Sequence, residues 1–278
     1  MGGTLSLLTN IPSLMAENSL NVTQQNLNKT LEELSSGSRI NSGADDPAGL
    51  AIANGLSANI MALQQSIANA NDGVGALQVA DGALSQVTTM LNRAVTLATE
   101  AANGTVSSDQ RTAINAEFTQ ILAEINAIGT QTSFNGASVF TATATSIFLS
   151  DANSNSPIAV TIGQLSTSNI GGTTTSLGSD DLSSVGDATT ALADINAAIA
   201  AVAASRGNLG ATMNRLTDSV NVMQNEVTNY NSAESSITSA DIGTTVANLS
   251  EYQILQQTGM AALAQANTSQ QAVLKLLQ

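Results

Sequence analysis

Apolar residues recur along this chain at helical spacing for long stretches, and the rhythm breaks in few places. From Leu56, the residues Ile60, Leu63, Ile67, Ala70, Val74 and Leu77 follow in alternating steps of three and four, the period of a coiled-coil seam. After a phase adjustment near Asp81 the pattern resumes at Leu84, Val87 and Leu91, so one long helix is predicted over roughly 45–102. Its start is marked by LSSGSRINSGADDPAGLAIANGL at 34–56: Asp45 or Asp46 can cap the helix, and Pro47 suits its first position, where a missing N–H is no loss. The Gly/Ser run Ser35–Gly43 is then a joint between two helical bodies.

A second run keeps the same rhythm through Leu192, Ile195, Ile199, Val202, Leu209, Met213, Leu216, Val220, Met223, Val227 and Tyr230, with Arg206 as its only charged seam position. A third (Ile114, Phe118, Ile121, Ile125, Ile128) follows a turn at Asn103-Gly104 and a cap at Ser107 or Ser108. Three helices with matching stripes can close one bundle. Between 134 and 190 the helical period gives way to Ser, Thr, Gly and Asn, where SIFLS and IAVTIGQL flank the polar DANSNSP as a predicted β-hairpin. The rest of that stretch reads as loop, a solvated tip or else a glycan-bearing surface. A long helix then returns over about 186–235, which brings the chain ends together.

Each end carries one more helical pattern, Leu20, Leu27, Leu31 and Leu34 at the front and Val246, Leu249, Met260, Leu263, Leu274 and Leu277 at the back. Intervening back-helix seam positions are Gln253, Gln256, Asn267 and Gln270, which weaken pairing and specify register. Two such helices bury too little area alone to offset the ordering of their backbones, so they read as a separate, assembly-dependent module. The expected fold is mainly α: a long coiled-coil helical bundle with a small β-hairpin region over 44–235, its Ser/Thr-rich tip at about 134–185. The paired N- and C-terminal helices, 1–43 plus 236–278, form a second coiled coil.

Composition sharpens this picture. Aromatics are 2% of the 278 residues and Trp is absent, so a 42% apolar content favours thin helix-on-helix packing. The formal net charge is -14, and the seven basic residues are scattered singly, which argues against nucleic acid and against an anionic membrane surface. No stretch approaches the apolar length of a membrane span, and the N-terminus, without a basic residue before Lys29, does not resemble a secretory signal.

Chemistry is sparse. With no His and no Cys, a Ser nucleophile has only Lys29 or Lys275 as base, each among Ala, Asn and Gln. The pairs Glu32/Glu33, Asp45/Asp46 and Asp180/Asp181 point apart on a helix and read as caps or solvated faces. No catalytic, cofactor-binding or metal site is expected, and the chain does not read as an enzyme.

LSSGSRINSGADDPAGLAIANGL, NANDGVGALQVADGALSQVTTMLNRAVTLATEAANGT and QTSFNGASVF resemble the N-terminal region of bacterial flagellins; RGNLGATMNRL and YQILQQTGMAALAQANTSQQAVLKLLQ resemble their C-terminal region. The resemblance covers about four fifths of the chain and implies a short form lacking large variable outer domains. It implies a subunit that polymerises into the swimming filament outside the cell, with terminal helices forming an inner tube, Ser35–Gly43 a spoke, and the bundle an outer tube. Export through the flagellar type III apparatus without a cleaved signal peptide is implied, as are a chaperone on the C-terminal helix and cap and junction proteins as partners. Implied subunit contacts are Leu27, Leu31, Leu34, Arg39, Asp45, Asp46, Leu249, Met260, Leu263, Leu274 and Leu277, with local capping an equal role for the acids. Ser236 and Ser239 stand where the family often has Arg and Asp, so a salt bridge there is expected to be missing. Arg93, Leu97 and Glu117 match the family's Toll-like receptor surface, but Val95, Thr96 and Ile121 replace charged residues, which implies weak sensing. A hook–filament junction protein of the same export system is the alternative.

Overall fold

The computed structural model describes residues 10–276 except 142–144, 148, 152–153, 156–157, 161, 171–172 and 175–176. Its helices are α1 (Ile11–Ser36), α2 (Pro47–Ala101), α3 (Ser108–Gln131), α4 (Val185–Thr238) and α5 (Ile242–Leu276). Between α3 and α4 lie short strands: β1 (Ser133–Phe134), β2 (Ala137–Ser138), β3 (Thr145–Ile147), β4 (Ser150–Asp151), β5 (Ser154–Asn155), β6 (Ile158–Val160), β7 (Leu165–Ser166), β8 (Asn169–Ile170) and β9 (Thr173–Thr174). The chain forms two compact units, Met1–Ala58 with Tyr230–Gln278, and Asn59–Asn229, and the division falls inside α2 and α4.

In the unit from 59 to 229 the expected seam is present with local changes. Leu63, Ala70, Leu77, Ala80, Leu84, Val87, Leu91 and Ala94 of α2 are buried. Because Ala80 carries the seam from Leu77 to Leu84 in steps of three and four, no phase adjustment occurs at Asp81. Ser66 and Gly73 take the buried places expected for Ile67 and Val74, which are half-buried. The Ser66 hydroxyl donates to the Ala62 carbonyl at 2.9 Å, so its burial leaves no unmet donor. A Cβ on Gly73 would overlap Ile147 of β3, so glycine lets that strand lie directly on the helix backbone.

The α3 start is a capping box: Ser107 Oγ accepts from the Gln110 N–H at 3.3 Å, and Gln110 Oε1 accepts from the Ser107 N–H at 2.9 Å. This helix buries Phe118, Leu122, Ile125 and Gly129. On α4 the buried positions include Ala188, Ala191, Ile195, Ala198, Val202, Leu209, Leu216 and Val220. Contrary to the sequence expectation, α4 does contain an 18-residue window with mean hydropathy 1.3, long and apolar enough to cross a membrane. Alanine raises that value, and the buried residues recur at seam spacing, as in the core helix of a bundle.

The expected hairpin is formed, with β3 antiparallel to β6 (Ile147 opposite Ile158) and β4 pairing β5 nearer the turn. Two other elements replace predicted loop. β1 and β2 join through Asn135 (φ 49°) and Gly136 (φ 78°), and β7, β8 and β9 form a meander. Their two-residue strands are too short for a period-two pattern, although the Asn-Gly pair is itself a hairpin signal.

In the terminal unit α1 and α5 pair antiparallel: Asn10 reaches the Ala266 carbonyl at 3.3 Å, and Gln256 Nε2 donates to Gln24 Oε1 at 2.6 Å. The α1 seam is Ser13, Ala16, Leu20, Thr23, Leu27, Thr30 and Leu34, with only Leu27 and Thr30 buried. Thr30 therefore stands where Leu31 was expected, and its hydroxyl donates to the Asn26 carbonyl at 2.8 Å. The α5 seam is Thr245, Leu249, Tyr252, Gln256, Gly259, Leu263, Ala266 and Gln270. Val246 and Met260, expected on it, are 44% and 51% exposed.

Candidate assembly surfaces

The segment between α1 and α2 is built by local polar chemistry. Gly37, at φ 70°, ends α1 with its N–H on the Glu33 carbonyl at 2.9 Å, and the left-handed backbone there favours glycine. Asp46 is the α2 cap, its Oδ1 accepting from the Gly49 N–H at 2.9 Å with Pro47 as first helical residue. Asp45 braces the turn instead. One oxygen accepts from the Ser42 N–H at 2.9 Å and the Asn41 N–H at 3.2 Å; the other pairs with Lys29 Nζ of α1 at 2.8 Å. The Lys29 ammonium, then Ser42, hold the Asp45 carboxyl down at about 2.

The same segment is tied to the end of α4. The Arg39 N–H donates to the Thr238 carbonyl at 2.7 Å and its guanidinium Nη2 to the Ile237 carbonyl at 2.8 Å. Ser38 and Ser239 form an antiparallel bridge, closed by the Ala240 N–H on the Gly37 carbonyl at 3.0 Å. Where a salt bridge was expected to be missing, Ser239 shares a hydrogen bond with Ser235 at 2.9 Å.

These contacts sort the predicted residues. Arg39, Asp45 and Asp46 converge on the joint between α1 and α2, each with partners in its own chain. Leu27 is 8% exposed and packs inside the α1–α5 pair; Leu34, Leu249 and Leu263 are half-buried there. Leu31 and Met260 face outward. Leu274 lies in α5 with its side chain outside the described residues, and Leu277 lies outside them altogether.

Spacing arguments selected part of the outward apolar faces as if it were the internal seam. Ile11, Leu14, Met15 and Val22 of α1, and Val246, Ile254, Leu255 and Met260 of α5, are all exposed in this unit. On α5 the column 249/256/263/270 is shared by two seams: the one occupied by α1, and a second completed by Val246, Gln253 and Met260, which are exposed, and by Asn267, whose Oδ1 accepts from the Ser13 hydroxyl of α1 at 3.1 Å. The predicted heptad is this second seam, so the sequence pattern marks a face that the described residues of this unit leave largely uncovered.

In the bundle, Arg93 makes a bidentate pair with Glu117 at 2.7 and 3.0 Å. Leu97, expected on the same surface, is 2% exposed and belongs to the core. Arg206, the lone charge of its seam, is held by Asp81 at 2.7 and 3.2 Å. The two interruptions noted along the sequence are thus partners. Among the described residues no group of acidic side chains could hold a metal ion.

Residues 7–145 match the family model of the bacterial flagellin N-terminal helical region, and residues 192–277 that of the bacterial flagellin C-terminal helical region. Flagellin of Salmonella muenchen is 42% identical over 163 residues, covering 59% of this chain and 32% of the relative. Flagellin of Serratia marcescens is 48% identical over 131 residues, covering 47% of this chain and 37% of the relative. The matches span about a third of the length of these relatives. Among solved structures, the crystal structure of Bacillus cereus flagellin is similar at 29% identity and a TM-score of 0.48, covering 56% of this chain and 88% of that one.

Proposed function

Since the chain belongs to the bacterial flagellin family, we propose that it is a structural, non-catalytic subunit that polymerises with copies of itself into the extracellular flagellar filament for swimming motility. The observation that carries this reading is the open second seam of α5. A helix pair whose own seam mixes leucines with Thr, Gln and Gly, most of them only half-buried, and which exposes Val246, Ile254, Leu255 and Met260, gains by covering those residues with further helices. Burying a side chain of that size contributes about 1.5–3 kcal/mol, and the gain repeats at every subunit added. The terminal helices are then the module that packs between copies. Family membership supports export by the flagellar type III apparatus, a chaperone for the C-terminal helix, and cap and junction proteins as partners.

Electron microscopy of the purified protein after addition of short filament seeds tests this, with circular dichroism before and after. Long helical tubes and a gain in helicity are expected. Val246→Asp with Met260→Asp should block elongation and leave the 59–229 bundle folded. Growth of the double variant at the parent's rate would refute the role of the open seam, and a parent that only caps seeds would make it a junction protein.

Recognition by a Toll-like receptor is weak in this reading. Glu117 and Arg93 satisfy each other, Leu97 is in the core, and Val95, Thr96 and Ile121 bring no charge. A receptor reporter assay should respond far below a strong flagellin agonist; equal potency would refute this.

A further inference from the structure

The chain holds three Asn-Gly pairs, at 54–55, 103–104 and 135–136, and the fold treats each differently. Asn54 and Gly55 lie inside α2, where the Gly55 N–H is committed to the helical ladder. Asn135 and Gly136 form the left-handed turn between β1 and β2, pinned on both sides by strand pairing. Asn103 and Gly104 lie in the exposed turn between α2 and α3, outside any ladder.

That turn also activates the Asn103 side chain. Its carboxamide Oδ1 accepts the Thr105 N–H at 3.1 Å, which folds the carboxamide back over the Gly104 peptide. The same donor withdraws electrons from the carbon that a nucleophile would attack and sits where an oxyanion would develop. Gly104 has no Cβ to hinder approach, and nothing lies within 4 Å of where one would stand.

We propose that Asn103 is a self-modification site, converting to aspartyl and isoaspartyl residues through a cyclic imide. The Gly104 N–H loses its proton to solvent base, and the nitrogen attacks the Asn103 carboxamide carbon. The carboxamide nitrogen leaves as ammonia, taking one proton. One water then opens the imide at either carbonyl, and no oxidant or reductant is needed. Opening at the side-chain carbonyl gives Asp and keeps the turn. Opening at the main-chain carbonyl inserts one more backbone atom where the Asn103 carbonyl accepts the Val106 N–H at 3.1 Å, just before the Ser107 cap. Either product adds one negative charge to a chain of formal charge -14.

The test is peptide mapping of the full-length protein aged in mildly alkaline buffer, native and in urea. Trypsin releases residues 94–111, in which Asn103 is the only Asn, and fragmentation spectra distinguish isoaspartate there and at the other two pairs. In the native protein Asn103 should convert roughly tenfold faster than Asn54 or Asn135, with the three rates converging in urea, and Gly104→Ala should slow Asn103 by about the same factor. Native conversion at Asn54 or Asn135 as fast as at Asn103 would overturn the proposal, as would an unchanged rate in Gly104→Ala.

Discussion

The 59–229 bundle and the terminal helix pair share one period and differ in what sits on it. Apart from Ser66 and Gly73, the bundle seam is Leu, Val, Ile and Ala, mostly at almost zero exposure, and α3 adds the buried Phe118 and Ile125. In the terminal pair Leu20, Leu27 and Leu34 alternate with Ala and Thr, Leu20 lies against Gly259, and the α5 seam carries Gln256 and Gln270 among its leucines. A repeat of three and four residues specifies only that a helix will have a partner. The side-chain volume on that repeat decides whether the partner within the chain is enough. The bundle buries its apolar seam almost completely, whereas the pair holds register through polar contacts such as Gln24–Gln256 and leaves Val246, Ile254, Leu255 and Met260 exposed beside its half-buried leucines.

The sharpest way to break the comparison is to truncate one residue from each seam. Phe118→Ala, at a position with 0% exposure, should cost about 3–5 kcal/mol and lower the bundle's urea midpoint accordingly. Leu27→Ala should leave that midpoint nearly unchanged, shifting global stability by less than about 1 kcal/mol, while amide exchange in α1 and α5 accelerates. Equal global losses from the two truncations would show that the pair is as complete as the bundle.

A smaller effect separates the charged contacts. Arg206 and Asp81 are each about one-third exposed (37% and 33%), Asp81 standing next to the buried seam residue Ala80. A double-mutant cycle with Arg206→Met and Asp81→Leu should return a coupling of about 0.5–1 kcal/mol that falls with added salt. The same cycle on Lys29–Asp45, whose flexible lysine is 53% exposed, should return less.

How much of this was legible in the sequence follows from the same contrast. The helices, the Pro47 start, the Ser107 cap and the β3–β6 hairpin follow from local chemistry and were readable. Which residue of an adjacent pair turns inward was not: Ser66 rather than Ile67, Gly73 rather than Val74, Thr30 rather than Leu31. In each case the larger residue looked like the seam; at Gly73 the packed Ile147 leaves no room for a Cβ, and at Ser66 and Thr30 the inward hydroxyl is satisfied by a carbonyl of its own helix. For α5 the spacing selected Val246 and Met260, which are exposed in this unit, because periodicity marks every apolar stripe of a helix and not only the one that a partner in the chain covers. The Asp81–Arg206 pair was visible as two separate anomalies, 125 residues apart, with nothing in the sequence to join them.

The finest distinction lies in acid response, where the two regions should differ in sign. Asp180, just before α4, is raised from 3.8 to about 6, first by burial and then by Asp194 of α4 and the neighbouring Asp181. Its Oδ2 is buried without a hydrogen-bond partner and feels the Asp194 and Asp181 carboxylates, surroundings that favour the protonated form. A group raised in the fold contributes stability that is complete below the unfolded value and is lost as pH rises through the folded one. The bundle should therefore gain slightly on acidification from pH 7 towards 4. Asp45, lowered from 3.8 to about 2, contributes stability above the unfolded value that is lost as pH falls through the folded one. Both carboxyls are in reach of solvent, so the effects are small and best read residue by residue. Carboxyl NMR titration should place the Asp180 midpoint above that of Asp45 by several pH units, and Asp180→Asn should remove the bundle's gain between pH 7 and 4 while leaving Asp45 where it was. An Asp180 midpoint near 4 would mean that Asp194 and burial exert no hold on it, and the two regions would then answer acid alike.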